Sequence, residues 1–333
     1  MITAKNLKKL FDGRAALDGV SLDLPAGGVT GVVGAAGAGK STLARVLALR
    51  DRPDSGSVWL DGLNTTALPQ DRLRQARRDI GLVPAQDELL PGRTVAGNVA
   101  APLERSGADT TMRRRRVGML LDLIGLTGLA SADPGTLSPG QRRRLTIAQT
   151  LVMEPAVLVA DEPTRGLDAE SANGVLAALD RARGELGATV VLATGDPSVA
   201  GRISDHVAIL AQGRVVDCGS LLDVATDPDS LVADALLPSL RPLSPRDTAA
   251  HDRVVDVVLV GFAAVGALLP EAAHRFGVHI EVIGGGLTRF SDTPVARFRL
   301  GVCGTRVDSA LVWIADCGAL VRHTSRGPSG IAA

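Results

Sequence analysis

Tyrosine is absent from this 333-residue chain, and aromatic residues make up only 2% of it. The scarcity is a compositional bias with little bearing on mechanism. A charge excess is also missing, since 36 basic residues balance 36 acidic ones. A general nucleic-acid binder usually carries a basic surplus, so that class is disfavoured. Only three cysteines occur, Cys218, Cys303 and Cys317. None forms a CxxC pair or a His/Cys cluster with zinc spacing. So sparse a set suits a reducing cytoplasm and reads as buried or incidental thiols. The first residues, Met1 to Lys5, lack the apolar core of a signal peptide. The most apolar stretch, Val254 to Leu269, is broken by Asp256 and ends at Pro270. It is shorter than the ~18 to 20 residues of a spanning helix. A buried strand leading into a packed helix is expected there, and any membrane role is expected to come through a partner.

What is present supports a globular chain. Hydrophobic residues reach 45%, and the length allows two domains. Val29–Val33, Ala156–Ala160, Thr189–Ala193 and Val207–Leu210 are short, continuous apolar runs rich in β-branched residues. Such runs alternating with helical patterns predict a parallel sheet buried on both faces. Ligands of such sheets sit beyond the carboxyl ends of the strands. The first run ends in a glycine-rich loop, and Lys40 to Arg50 reads as the following helix. Between about residues 88 and 136 the periodicity becomes helical. The run Arg113 to Arg116 there reads as a solvated helix face, with acidic lipid or a partner as the alternative. Leu237 to Pro245 is rich in Pro and Ser and reads as a linker. After it the pattern is strand (254–260), helix (264–276), strand (278–284), strand (295–300), helix (307–316), strand (319–323). That β-α-β-β-α-β order is the ferredoxin-like split motif.

Gly34-Ala35-Ala36-Gly37-Ala38-Gly39-Lys40-Ser41 matches G-x-x-x-x-G-K-[ST]. The glycines let successive backbone N–H groups turn inward on an anion, and the helix N-terminus adds partial positive charge. Lys40 is placed to reach the β- and γ-phosphates of ATP, and the Ser41 hydroxyl to hold Mg²⁺. Asp161-Glu162 closes another strand. Asp161 can complete the Mg²⁺ shell, and Glu162 can orient or deprotonate an attacking water. Leu137-Ser138-Pro139-Gly140-Gln141 has capping-box spacing, with proline at the first helical position. On its residues alone it is an ordinary helix start.

These segments, with Gly166-Leu167-Asp168, stand in the order and spacing of ABC-transporter ATPases, which residues 2–235 resemble. The resemblance implies a P-loop NTPase fold with a helical subdomain at about 88–136. It implies a second subunit paired head to tail, a homodimer, with ATP between the P-loop (Gly34 to Thr42) of one copy and Ser138, Gly140 and Gln141 of the other. It places Phe11 against adenine and makes Asp168 the D-loop aspartate. Ala76–Gly81 and Arg93–Ala100 are similar to the methionine-import ATPases. So are Arg275–Val278, Ile283–Gly286, Phe298–Gly304 and Ala310–Ile314, which resemble that family's C-terminal regulatory domain. The implied organisation is an ATPase domain at 1–236, a linker at 237–250, a ferredoxin-like regulatory domain at 251–325 and a flexible tail at 326–333. The implied activity is ATP hydrolysis coupled to import of methionine or a related amino acid. Its partners are membrane permease subunits and, indirectly, an extracytoplasmic solute-binding protein. The expected location is the cytoplasmic face of the cell membrane, held through the permease, with methionine bound at the C-terminal domain and no nucleic acid.

Three positions depart from the family pattern. Pro139 replaces a glycine of LSGGQ and removes one backbone donor, which predicts weakening rather than loss. In the Ile-Gly-x-x-x frame the Q-loop glutamine position holds Ala85, and Gln86 follows one residue later as a candidate magnesium ligand. Thr194-Gly195-Asp196 replaces the family's Thr-His. Losing one preorganised donor typically costs ~100- to 1,000-fold in rate. Asp196 would repel phosphate, and His206 reads as structural. The alternative is therefore a degenerate subunit that hydrolyses slowly or not at all and has a regulatory role. A ligand-sensing module with a vestigial ATPase is a third possibility.

Overall fold

The structure is a computed structural model and describes residues 1–323, apart from 228, 229, 231, 291 and 292. The tail expected at 326–333 lies outside the described residues. The chain divides into two compact units, Met1–Leu221 and the residues from Leu222 onward.

In the first unit, strands β1 (Ile2–Phe11) and β2 (Arg14–Leu24) lead into β3 (Val29–Val33) and helix α1 (Lys40–Leu47). Then come β4 (Ser55–Leu60), β5 (Leu63–Asn64), α2 (Gln70–Ala76), β6 (Ile80–Val83), α3 (Val95–Arg105) and α4 (Thr110–Leu123). They are followed by α5 (Pro139–Leu151), β7 (Val157–Asp161), α6 (Ala169–Leu186), β8 (Thr189–Thr194), α7 (Pro197–Ile203), β9 (His206–Ala211) and β10 (Arg214–Ser220). The central sheet runs β10-β9-β3-β8-β7-β6. Its strands are parallel except at the β9–β10 edge. Every residue of β3, β7 and β8 is buried, as expected of a sheet covered on both faces. Alternate residues feed two cores. Leu158, Ala160, Val190 and Leu192 pack with the helical residues Leu145, Ile147 and Val175. Val157, Val159, Val191 and Ala193 pack with Leu43 and Leu47 of α1.

The sequence reading gave no warning of the antiparallel sheet β2-β1-β4-β5. Its strands mix polar and apolar residues, so they lack the continuous apolar signal of the central strands. Helix α1 is also shorter than expected, because Leu49 adopts a left-handed φ of 56°. Of the arginine run, Arg114 and Arg115 are exposed. Arg116 instead pairs with Glu154 at 2.9 Å and is mostly covered. None of the three cysteines is buried: Cys218 and Cys317 are exposed and Cys303 is intermediate, so they are incidental rather than core thiols.

The second unit contains α8 (Leu221–Thr226), α9 (Ala233–Leu236), α10 (Pro245–Ala250), β11 (Arg253–Val260), α11 (Phe262–Val265), α12 (Leu268–Phe276), β12 (His279–Phe290), β13 (Thr293–Cys303), α13 (Val307–Asp316) and β14 (Leu320–His323). The antiparallel order β12-β13-β11-β14 gives the ferredoxin-like arrangement. The helix expected at 264–276 is split, because Gly266 is extended (φ −87°, ψ −174°) and ends α11. β12 runs past the expected stop at Gly284. A bulge after Val282 lets the ladder continue to Phe290. Gly285, with φ +106°, is required there, since a Cβ would fall 1.9 Å from the Arg297 carbonyl.

The segment read as a linker at 237–250 is not a free one. It contains α10, started by a capping box between Ser244 and Asp247. The Arg241 guanidinium donates to both Asp247 oxygens at 2.8 and 2.7 Å and to the Ile283 carbonyl at 2.7 Å. Arg299 donates to the Arg241 carbonyl at 2.6 Å while its other nitrogens grip Asp256. The pairing with Arg241, reinforced by the Ser244 N–H, holds the Asp247 carboxyl far below the usual carboxylate range. His251 follows the segment, its ring placed where a Cβ on Gly301 would otherwise lie, 2.4 Å away. Its Nδ1 meets the Asp247 carbonyl at 2.8 Å and its Nε2 meets Glu281 at 3.1 Å. These two acceptors, the carbonyl foremost, raise the His251 pKa above its ordinary 6.5.

A raised folded pKa contributes stability that is complete below about pH 6.5 and fades as pH climbs through the folded value. The second unit should therefore unfold more easily at pH 8 than at pH 6. Trp313 fluorescence in a Trp59→Phe background should report this. His251→Gln should flatten the dependence, and an unchanged slope in that variant would remove His251 from the account.

Candidate nucleotide site

The glycine-rich loop lies between β3 and α1 at the carboxyl end of the central sheet. Gly34 sits so close to β9 that a Cβ would fall 2.3 Å from the Leu210 carbonyl. Gly39 caps α1 with φ +106°, and a Cβ there would meet the Ala16 carbonyl at 2.3 Å. Neither position admits a side chain, so glycine is required at both. Lys40 opens the helix and is 5% exposed. Its ammonium donates to the Gly34 carbonyl at 2.8 Å and the Ala35 carbonyl at 3.1 Å. It also pairs with Glu162 Oε1 at 3.1 Å.

Ser41 donates its hydroxyl to Asp161 Oδ1 at 3.0 Å. Asp161 ends the buried strand β7 and is 6% exposed; burial pushes its carboxyl up from the ordinary range. Glu162 follows with a left-handed φ of 47°, unusual for a residue with a side chain. Its second oxygen accepts the Gly195 N–H at 3.1 Å. The start of α1 and the end of β8 thus fix the carboxylate from two sides, through Lys40 and Gly195. Gly195 faces the same point: a Cβ there would lie 3.5 Å from Glu162 Oε1 and 3.8 Å from Lys40 Nζ. A histidine at 195 would project into this cluster, so the family's donor is missing at the place where it would act. Asp196 does not fill the gap. Its carboxylate caps α7 by accepting the Ser198 N–H at 2.9 Å and hydroxyl at 2.7 Å.

Lys40, Ser41, Glu162, Gly195 and Asp196 line a cleft of about 740 Å³ with Ala36, Gly37, Ala85 and Thr164. Ala85, the residue in the Q-loop frame, faces the cleft, whereas Gln86 is exposed and does not line it. The structure therefore does not bring Gln86 to Ser41 and Asp161. Sequence reasoning missed what holds this loop. Arg143 of α5 is 7% exposed and donates to the Pro84 carbonyl at 2.6 Å and the Ala85 carbonyl at 2.7 Å. It also meets Asp87 at 3.3 Å, and Asp87 accepts the Thr146 hydroxyl at 2.9 Å.

Ser138, Gly140 and Gln141 lie at the start of α5 and do not line the Lys40 cleft. The capping box is complete: Gln141 N–H donates to Ser138 Oγ at 3.2 Å, and Ser138 N–H to Gln141 Oε1 at 2.8 Å. Pro139 occupies the first turn, where the helix has no use for its missing N–H. Asp168 caps α6 through the Ser171 N–H at 2.8 Å and hydroxyl at 3.0 Å. The two helix starts touch, since a Cβ on Gly140 would lie 2.6 Å from Ser171 Cβ. Phe11 ends β1, is 50% exposed, and carries the Lys9 ammonium 5.6 Å from its ring centre. His206 begins β9, at the opposite end of the strand from the cleft.

Comparison with known proteins identifies the family. The ABC transporter family profile matches residues 17–165, and the NIL domain profile matches 253–323. Methionine import ATP-binding protein MetN of Thermobifida fusca (strain YX) is 42% identical over 327 residues, 97% of this chain and 99% of that one. The protein of that name from Rhodospirillum rubrum is 37% identical over 319 residues, covering 92% of this chain and 91% of its own. The chain belongs to the methionine import ATP-binding protein family. As a member of it, the chain binds and hydrolyses ATP as a subunit of an ABC transporter. Solved cassettes agree. A dimeric post-hydrolysis cassette bound to ADP and Pi superposes with a TM-score of 0.60 at 33% identity, covering 66% of this chain and 99% of its own. Part of a Clostridium perfringens ABC transporter complex gives 0.62 at 31% identity, covering 66% and 88%. The slow-turnover alternative raised by Gly195 and Pro139 finds no support in these comparisons. Among the described residues, no helix is long and apolar enough to cross a membrane.

Proposed function

We propose that this chain drives methionine import by hydrolysing ATP in the Lys40 cleft. What carries the cargo assignment is the likeness to methionine import ATP-binding proteins along nearly the whole chain, NIL domain included. In this reading residues 1–236 are the ATPase, with a helical subdomain at about 88–136. Residues 237–250 connect to a regulatory domain at 251–325 that binds methionine and restrains transport.

The loop from Gly34 to Thr42 cradles the phosphates, and Lys40 exchanges its carbonyl partners for the β- and γ-oxygens. Ser41 and Asp161 suit Mg²⁺, being a hydroxyl and a buried carboxylate 3.0 Å apart. Bound there, Mg²⁺ would neutralise charge on the phosphates. Glu162 orients the attacking water and takes its proton. Ser138, Gly140 and Gln141 serve a second copy of the chain, which accounts for their distance from this cleft, and Phe11 stacks on adenine. The chain acts at the cytoplasmic face of the membrane, attached through permease subunits and served indirectly by an extracytoplasmic solute-binding protein.

Uptake of radiolabelled methionine tests the cargo. A strain lacking this chain should lose high-affinity uptake, and the natural chain should restore it while Glu162→Gln should not. Unchanged methionine uptake without the chain, with another amino acid's uptake lost, would replace methionine as cargo.

A further inference from the structure

The cleft lacks the family's histidine donor, yet it contains one cation that makes no hydrogen bond or ion pair among the described residues. Three cationic side chains line it: Lys40, Arg165 and Arg202. Lys40 is held by Glu162 and two carbonyls. Arg202 donates to Asn173 of α6. Arg165 is exposed, and among the described residues its guanidinium has no hydrogen bond or ion pair.

Its position is fixed by the backbone. Arg165 N–H donates to the Glu162 carbonyl at 3.1 Å, and Leu167 N–H to the Thr164 carbonyl at 3.2 Å. Gly166 completes the turn with φ +75°. This tight turn puts Arg165 and Glu162 on the wall of one cleft. An uncommitted guanidinium is planar, always charged and weakly hydrated, so it suits bidentate contact with phosphate oxygens. Phosphate contacts would offset the rotamer entropy lost in ordering such a side chain.

We infer that Arg165 is a catalytic residue of this ATPase, donating to the terminal phosphate in place of the missing histidine. The inference rests on the reading that ATP occupies the Lys40 cleft. In the reaction, the water oxygen bonds to the γ-phosphorus and the bridging P–O bond breaks, its electron pair leaving with ADP. The water proton passes to Glu162. Charge gathers on the γ-phosphoryl oxygens as this happens, and the Arg165 N–H groups meet it there, as Gly195 cannot.

The test is steady-state turnover of the purified full chain with saturating Mg-ATP, alongside nucleotide binding. Arg165→Ala should lower kcat by about 100-fold with KM for ATP little changed. Arg165→Lys keeps the charge without the fork and should fall between. Gly195→His should restore at least about tenfold to Arg165→Ala, because it supplies a donor at the same phosphate. Turnover of Arg165→Ala within about twofold of the natural chain would overturn the inference. So would a loss that Gly195→His leaves in place, because Arg165 would then act by another route. Arg165→Gln guards against an effect of truncation alone. Lys40→Ala separates the two levels. If it leaves nucleotide binding intact, the cleft assignment itself is wrong; if it abolishes binding while Arg165→Ala is silent, only Arg165 is misassigned.

Discussion

Glu162→Gln should lower ATP turnover by about 100- to 10,000-fold, the usual contribution of a positioned general base, and leave nucleotide binding nearly unchanged. The geometry makes this substitution unusually clean. Glutamine keeps the length and planarity of Glu162, so its carbonyl oxygen can still accept the Gly195 N–H now 3.1 Å from Oε2. Lys40 loses one of three partners but keeps the carbonyls of Gly34 and Ala35 at 2.8 and 3.1 Å. The phosphate-binding loop should therefore hold its shape. What disappears is the ability to take a proton from water. The backbone at this residue argues for the same role. A left-handed φ of 47° at a non-glycine residue costs of order 1 to 3 kcal/mol and persists where the surroundings impose it. Here the Ala193 carbonyl fixes the Glu162 N–H at 2.8 Å, and the strain aims the side chain into the cleft. Single-turnover phosphate release and equilibrium binding of a fluorescent ATP analogue would check it. Turnover within tenfold of the natural chain, with binding retained, would remove Glu162 from the chemistry.

The parts of this site that could be read in advance are those whose requirements are local. The glycine loop is legible because Gly34 and Gly39 tolerate no Cβ, and because a strand and a helix must flank it. Asp161 and Glu162 are legible because a charged pair at the end of a fully apolar run has to emerge at the strand's carboxyl end. The parts that stayed hidden depend on distant neighbours. Arg142, Arg143 and Arg144 are identical side chains in succession. Yet the first reaches the Leu137 carbonyl, the second the Q-loop at Pro84 and Ala85, and the third the Ile124 carbonyl. No sequence pattern separates them, because what differs is which surface each meets. Asp196 is similar. Next to a phosphate site its charge reads as hostile, but the structure spends that carboxylate as a helix cap. The connecting segment misled by composition: Pro and Ser suggest freedom, while the Arg241 and Asp247 side chains share five hydrogen bonds that composition cannot show.

Lys40→Ala should abolish the stabilisation that Mg-ATP confers. A ligand present at about 100 times its Kd stabilises the folded state by about 2.7 kcal/mol. For a unit of roughly 200 residues, each kcal/mol moves Tm by about 2 to 4 °C. The natural chain should therefore gain about 5 to 10 °C in its first unit on adding Mg-ATP. Charge-assisted hydrogen bonds contribute about 1.5 to 3 kcal/mol each, so losing both phosphate contacts of Lys40 weakens ATP by about 100-fold or more. At the same ATP concentration the shift in the variant should be near zero. The nucleotide-free baseline should move too. Removing Lys40 strands Glu162, only 16% exposed at its side chain, beside the buried Asp161 with no cation between them. Breaking a largely buried pair by deleting one member is destabilising, because the remaining charge keeps its desolvation cost. Glu162→Gln in the Lys40→Ala background should recover part of that loss, since it removes the stranded charge, and it should do so without restoring the response to ATP. An equal thermal shift in the natural chain and in Lys40→Ala would mean that the polyphosphate is held elsewhere, and the glycine loop would then be only a tight turn between strand and helix.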